Sequence, residues 1–298
     1  MNIKRLLQCP RCGSSIISNE DVFECTSCYR RFRKRMGVLD FLLSREDQWM
    51  LVGKGFMNGQ EELERRFFEP SEDELSPADR LIKATALWYR GEFDDFQRLL
   101  RPSREALYSE ECNQAMTESL NRTVELIKKE QGLVLDLATG MGGLLEELLS
   151  STEKEYLSVD ISPSSSFGLL QYLRYIGWRE RVVQIIADAA NLPLKDDSID
   201  VIVSAAGFQN MQDSKKVFKE VRRVSKKLIA LCIFFEDDDP NLAHVSDRGL
   251  EEAGWNSRVE NSVRAGAEPT PQSEILGVRP NMLPITSTTI EFTTVIAK

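Results

Sequence analysis

The chain has 298 residues, 42% apolar and 29% charged, which is enough for about two domains and unlike the compositions of disordered or fibrous proteins. Its 38 Lys and Arg against 47 Asp and Glu leave a net charge of −9, which argues against an all-over nucleic-acid platform because neutralising phosphates takes a Lys/Arg excess at the contact face. No stretch approaches the roughly 18 consecutive apolar residues that span a bilayer, and Cys9 arrives where a secretory signal would carry its apolar core, so a cytoplasmic setting is expected.

The charge is unevenly spread. Residues 1–43 hold eight basic and four acidic side chains, a net +4 that leaves −13 on the rest of the chain. Four of the six cysteines fall in the same stretch, as Cys9-Pro10-Arg11-Cys12 and, twelve residues further on, Cys25-Thr26-Ser27-Cys28. Two CxxC knuckles at this spacing offer four thiolates to one metal, the closed tetrahedral set of structural zinc. Disulfides and a redox CxxC fit less well, because a cytoplasmic setting keeps thiols reduced and a redox motif does not call for a second copy. A closed four-sulfur shell leaves no position for catalysis, so Zn2+ on Cys9, Cys12, Cys25 and Cys28 is expected to hold together a module too small to fold alone. Cys112 and Cys232 stand singly and read as small apolar core residues.

After the second knuckle the chain runs YRRFRKR (29–35) and MGVLDFL (36–42). Over about forty residues the module resembles the small zinc-ribbon subunits that activate RNA and protein methyltransferases. It also resembles the ribbon that opens bacterial large-subunit rRNA guanine methyltransferases, which use a His as fourth ligand where this chain has Cys28. The aromatics and guanidiniums of YRRFRKR have the alternation that tracks an RNA backbone. Charge attraction to the acidic remainder favours a different use, docking of the ribbon on its own chain or on a partner protein, with RNA the weaker candidate.

Between 44 and 115 the pattern is helical. Ser76-Pro77-Ala78-Asp79 is a cap-and-proline start, followed by Leu81, Ile82, Thr85, Leu87, Trp88 and Tyr89 at helical spacing, while Pro70 and Pro102 predict breaks. Nine of the chain's 24 aromatics, including Trp49, Phe56, Phe93 and Phe96, lie in this stretch, which suits either the core of a helical subdomain or a lid over an apolar substrate pocket. A further helix is expected over 111–129.

An α/β alternation follows. The apolar run 133–137 leads into Ala138-Thr139-Gly140-Met141-Gly142-Gly143 and an amphipathic helix over 144–149, the layout that brings backbone close to a nucleotide-like ligand. Strands are expected at 155–160, 182–187, 199–204 and 227–235, with helices around 167–175 and 214–224. Asp136 and Asp160 end the first two strands and Asp188 follows the third, so the three acids should line the carboxyl edge of the sheet. A carboxylate at the end of the second strand is placed to accept hydrogen bonds from ribose hydroxyls.

From about residue 120 to 298 the chain resembles class I S-adenosylmethionine-dependent methyltransferases of the ubiquinone/menaquinone type. The motifs behind the resemblance are the acid and glycine turn at Asp136, Ala138, Gly140 and Gly142; the acid Asp160; the stretch ADAANLPLKDDSIDVIV (187–203); LEEAGW (250–255); and the closing strand from 290. The resemblance implies an α/β, Rossmann-like domain over 116–298 with a seven-stranded sheet whose last strand is antiparallel, preceded by a zinc ribbon (1–43) and a helical lid or linker (44–115). It implies S-adenosyl-L-methionine as cofactor. Gly140 and Gly142 would then skirt the methionine part, Asp160 would hold the ribose, and Asp188 and Ala189 would face the adenine. Asp136, Ala138, Ile161 and Ser204 complete the expected cofactor-binding set. Ala138 stands where the family usually has Gly, a mild change in side-chain size. The segment Gly207-Phe208-Gln209-Asn210-Met211 lacks the family's frequent histidines, and no NPPY-like motif for base or glutamine amino groups is present. NAD is the competing ligand, but Gly140-Met141-Gly142-Gly143 does not complete GxGxxG.

Methyl transfer from a sulfonium is an in-line displacement, so the protein mainly has to align the acceptor and exclude water, and a general base is optional. No catalytic residue is assigned. His244, the single histidine, reads as a surface or cap residue, and the acids at 236–239 read as a solvated loop. Three functions fit: a methyltransferase on a small or lipophilic acceptor, an RNA- or protein-modifying methyltransferase whose ribbon presents the substrate, and a non-catalytic cofactor-binding regulator.

Overall fold

Four short strands open the fold as an antiparallel meander: β1 (Ile16–Asn19), β2 (Val22–Cys25), β3 (Arg31–Arg35) and β4 (Val38–Asp40). Seven more follow: β5 (Val134–Leu137), β6 (Tyr156–Asp160), β7 (Val182–Ile186), β8 (Val201–Ala205), β9 (Leu228–Phe235), β10 (Glu274–Val278) and β11 (Ile290–Ala297). This computed structural model describes residues 3–44, 61–108, 110–208, 211, 214–235, 274–278 and 290–297. Trp49, Phe56, Gln209, Asn210, the acids at 236–239, His244 and the 250–255 element lie outside the described residues.

The strand order is β1-β2-β3-β4-β7-β6-β5-β8-β9-β11-β10. Its seven-stranded part, from β7 to β10, is the expected α/β sheet: β5 pairs in parallel with β6 and β8, and β11 runs antiparallel to both of its neighbours. The short strand β10 was not foreseen; it is five residues long in a proline-flanked segment. The ribbon is joined to this sheet. Its last strand β4 runs parallel to β7, with Leu39 opposite Ile185 and Asp40 opposite Ile186, and the Phe41 N–H donates to the Ile186 carbonyl at 2.8 Å. Strand β7 would otherwise be an unpaired edge, and β4 covers it.

A second seam fixes the other end of the ribbon. Gln8 N–H donates to the Pro193 carbonyl (3.1 Å) and Lys195 N–H to the Leu6 carbonyl (2.8 Å). Between the seams, Leu7, Cys9, Phe23, Phe32, Leu39 and Phe41 share one buried cluster with Leu157, Ile185, Leu192 and Leu194. Docking thus works through backbone pairing and apolar burial rather than through the basic run. In β3 only Phe32 is buried; Arg33, Lys34 and Arg35 are exposed, and Arg31 pairs with Glu24 of the ribbon itself at 2.5 Å. Among the described residues, no ion pair joins the basic run to the rest of the chain, so the charge attraction expected from sequence is not what forms these seams.

The middle segment folds as α1 (Pro77–Arg90) and α2 (Phe93–Leu107), and α3 (Glu110–Lys129) leads into the sheet. Helix α1 starts where its sequence predicts, with the Ser76 hydroxyl accepting from Asp79 N–H (3.1 Å), and ends at Gly91 in the left-handed conformation. Pro102 does not break the chain; it lies inside α2. Pro102 and Arg98, four residues earlier, are both on the exposed face, where water can take the carbonyl that the proline leaves unpaired. The aromatics Trp88, Tyr89, Phe93 and Phe96 are buried in a cluster with Tyr172 and Leu173, so the segment is a packed core before it is anything else. Helices α4 (Gly143–Ser151), α5 (Pro163–Tyr175) and α6 (Ser214–Val224) complete the described crossovers.

Candidate active site and metal centre

Strand β5 has neighbours leaving in opposite directions, β6–β7 on one side and β8–β9 on the other, and such a switch point opens a crevice at the carboxyl edge of the strands. A cavity of about 460 Å³ lies there, within the size range of small-molecule sites. Of the nine expected cofactor residues, the structure brings Ala138, Gly140, Asp160, Ile161, Asp188 and Ala189 into its wall. The other three, Asp136, Gly142 and Ser204, do not line it.

Asp160, at the end of β6, organises the near wall. One carboxylate oxygen accepts from Gly140 N–H (2.7 Å) and the other from Ser162 N–H (2.8 Å). Burial raises the Asp160 pKa above the ordinary carboxylate value despite these backbone donors. Gly140 reaches the aspartate with φ at 55°, and a Cβ there would meet nothing within 4 Å, so the turn leaves open space on its outer side. Gly142 serves packing instead: a Cβ there would lie 2.6 Å from Leu169, and the glycine lets α4 approach α5. Asp136 is wholly buried, which pushes its pKa up to about 8; a hydrogen bond with Thr139 opposes the shift and the Asp160 charge adds to it. The Ser204 hydroxyl donates to the Leu137 carbonyl at 2.8 Å, bracing the end of β5.

Ala138 departs from the expectation. Its φ is 57°, and Ala206, which follows the neighbouring strand β8 and also lines the cavity, has φ 53°, both in the left-handed region that costs a residue with a Cβ roughly 1–2 kcal/mol. The change from Gly to Ala is therefore one of backbone strain as well as side-chain size. Gly207 accommodates it: a Cβ at 207 would come within 2.7 Å of the Ala138 Cβ and 2.6 Å of Ser204 Oγ. Strain held at two places in one cavity wall is a common mark of a functional site.

Asp188 follows β7 and shapes the far wall, accepting from Ala190 N–H (2.8 Å) and from Asn191 Nδ2 (2.7 Å). Its loop continues into Pro193–Lys195, the segment bonded to the ribbon, so one loop faces the cavity on one side and the ribbon on the other. Sequence reasoning missed Tyr89, Met141, Ser165, Met211 and Lys216 in the wall. Tyr89 comes from α1, and no local pattern ties that helix to the sheet edge.

The four ribbon cysteines bring their Sγ atoms within 4.8 Å of one another, with Cys9–Cys28 at 3.6 Å and Cys12–Cys25 at 3.5 Å. Disulfides would need about 2.0 Å, whereas four sulfurs around one zinc at about 2.3 Å lie roughly 3.8 Å apart. Ser27 and Cys28 N–H groups each point at Cys25 Sγ from 3.4 Å, as donors do around a metal thiolate.

Among known proteins, residues 135–231 match the family described as "Methyltransferase domain". Demethylmenaquinone methyltransferase of Thermotoga maritima is 37% identical over 119 residues, 39% of this chain and 49% of that protein. U6 snRNA (guanine-N(2))-methyltransferase THUMPD2 of Mus musculus is 28% identical over 126 residues, 41% of this chain and 24% of that one. The chain thus spans about half or less of these curated relatives. Among solved structures, geranyl diphosphate methyltransferase aligns with a TM-score of 0.48 at 12% identity, covering 60% of this chain and 77% of that one. No helix among the described residues is long and apolar enough to cross a membrane. The methyltransferase-domain match over residues 135–231 falls on the segment that supplies most of the switch-point cavity's wall.

Proposed function

We propose that the protein transfers a methyl group from S-adenosylmethionine to a small or lipophilic acceptor, in the cytoplasm, with a structural zinc in its ribbon. The observation that carries the reading is the switch-point cavity in a methyltransferase-domain segment, walled by Gly140, Asp160 and Asp188. Asp160 would accept the ribose hydroxyls with its remaining lone pairs while Gly140 and Ser162 N–H fix its orientation. Asp188, Ala189 and Ile161 would flank the adenine. Gly140 would pass the methionine part, with Asp136, Gly142 and Ser204 supporting the turn from behind. When bound, the cofactor supplies a methyl group already activated on sulfur, so the chain's part is to align the acceptor and exclude water. Met141 and Met211 add apolar surface to the cavity wall, suited to a lipophilic acceptor. The zinc would be held by Cys9, Cys12, Cys25 and Cys28, whose separations and soft donors suit it.

Calorimetry with S-adenosylhomocysteine tests the cofactor site. Wild-type protein should bind it, and Asp160→Ala should bind about ten- to a hundredfold more weakly, the range for losing charge-assisted hydrogen bonds. Unchanged affinity in Asp160→Ala would sink the ribose assignment. Untargeted profiling of methylated products in extract, with and without the enzyme, addresses the acceptor. A second reading, RNA as acceptor, is favoured by the exposed Arg33, Lys34 and Arg35 and by Tyr29, which is 73% exposed beside the second knuckle. Absence of RNA binding at low salt would remove it.

A further inference from the structure

Tyr89 belongs to α1, in the helical segment that precedes the α/β domain, yet it walls the same cavity as Asp160. Its place is fixed from two sides. One residue earlier, Trp88 is fully buried against α5, so tightly that a Cβ on Gly168 would lie 2.4 Å from the indole. Gly168 is therefore what allows α1 to lie on α5. On the other side, the Tyr89 hydroxyl is 3.0 Å from Ser165 Oγ, Ser165 N–H donates to Ser162 Oγ (3.2 Å), and Ser162 N–H donates to the Asp160 carboxylate (2.8 Å). A short relay through the first turn of α5 thus connects α1 to the acid at the end of β6. Burial raises the Tyr89 pKa, the Ser165 hydrogen bond opposes the shift and the Asp160 charge adds to it, so the phenol, protonated at neutral pH in any case, stays a donor.

We propose that Tyr89 is a cofactor-binding residue whose hydroxyl, together with Asp160, holds the sugar end of the nucleoside, so that α1 closes the cofactor cavity. The proposal rests on the assignment of that cavity to S-adenosylmethionine. It gives the middle segment a definite role, in which its aromatics form a core against α5 and that core carries one phenol to the cofactor. The segment and the methyltransferase domain then make a single binding unit.

Calorimetry on the full chain, with S-adenosylhomocysteine and with adenosine as probes, separates this role from a scaffolding one. Tyr89→Phe keeps the ring and removes the hydroxyl. It should weaken both probes by the same factor of about five to ten, as expected for one hydrogen bond to the sugar they share, with Tm within about 2 °C of wild type. Ser165→Ala removes one protein partner of the tyrosine but leaves its hydroxyl, and should weaken both probes clearly less than Tyr89→Phe does. Wild-type affinity in Tyr89→Phe overturns the proposal. Equal losses in the two variants, accompanied by matching falls in Tm, also overturn it, because the hydroxyl would then only pin α1 to α5. A wild-type protein that binds neither probe overturns the cofactor assignment and this proposal together, whereas wild-type binding with an unaffected Tyr89→Phe overturns this one alone.

Discussion

The ribbon and the methyltransferase domain share a sheet and hold their strands by different means. In the domain, β5 is buried at all four positions and β6 at four of five, with apolar clusters on both faces. In the ribbon, β2 and β3 bury one face only, and the residues they bury, Phe23, Cys25 and Phe32, pack with Phe41 into a cluster that belongs largely to the domain. A segment of about forty residues cannot close a core of its own without a metal, disulfides or a partner. This one has four thiolates within reach of one ion and the edge of a neighbour's sheet. The ribbon therefore depends on the domain, whereas the domain depends on the ribbon chiefly at β7 and at the loop after it.

Removing the metal should have the greatest consequence. Freshly purified protein should contain about one equivalent of zinc, and Cys25→Ser should lose it, because binding and folding of a structural zinc site share about 10–16 kcal/mol at neutral pH. Hydrogen exchange should then quicken across 3–44 while β5 and β6 stay protected. Less than about half an equivalent in the wild type would count against zinc, and loss of protection in β5 would show that the domain depends on the ribbon as much as the ribbon on the domain.

Phe41→Ala probes the same dependence at the seam. Phe41 is 1% exposed, packs edge-on to Phe23 at a 5.6 Å centroid distance, and follows directly on the β4–β7 pairing. Truncation should cost about 3–5 kcal/mol. Urea unfolding followed by separate probes on the ribbon and the domain should show the ribbon transition moving to lower urea first. A shared transition displaced as a whole would mean that the two fold as one cooperative unit.

How much of this was legible depends on whether the information is local. The cysteine pairs, the Ser76 cap and the acids Asp160 and Asp188 are short-range patterns that stand where the sequence puts them, whereas Asp136 is buried within β5 and does not reach the cavity wall. The pairing of β4 with β7 joins residues about 145 apart, and nothing in Val38–Asp40 names its partner. The same limit hid Tyr89, which is read correctly as part of a helical aromatic core yet meets Ser165, 76 residues on. Charge misled for a different reason: the +4 of the ribbon is real, but Arg31, Arg33 and Arg35 are exposed on β3 and the joint is made by backbone pairing and apolar burial.

The domain also holds a charge penalty of its own. Asp136 has a pKa of about 8 in the folded protein against about 3.9 when unfolded. Between those values the native state keeps a proton that the unfolded chain has released, so stability falls as pH rises from about 4 to 8 and levels off above. Asp136→Asn cannot ionise. It should match the wild type near pH 4 and become increasingly more stable than it toward pH 8, as followed by Tm across that range; Asp160 is common to both proteins and cancels to first order. A difference independent of pH would show that Asp136 is not the group responsible.

A subtler effect separates two uses of one backbone conformation. The ribbon has Glu20, Tyr29 and Met36 at positive φ, all exposed, where left-handed residues turn a chain between strands or close a knuckle. In the domain, Ala138 and Ala206 hold the same conformation inside a cavity wall. Ala138→Gly would relieve roughly 1–2 kcal/mol of left-handed strain and lose about 0.4–1 kcal/mol through the freer unfolded chain, for a net gain near 0.5–1 kcal/mol. The methyl group it removes faces Gly207 and the cavity, so the variant should be slightly more stable than the wild type while its affinity for S-adenosylhomocysteine drops as the turn loosens. Met36→Gly in the ribbon should show the stability gain alone, because its turn does not line this cavity. Equal ligand affinity in Ala138→Gly and wild type would mean that the strain at 138 is merely tolerated and plays no part in holding the wall.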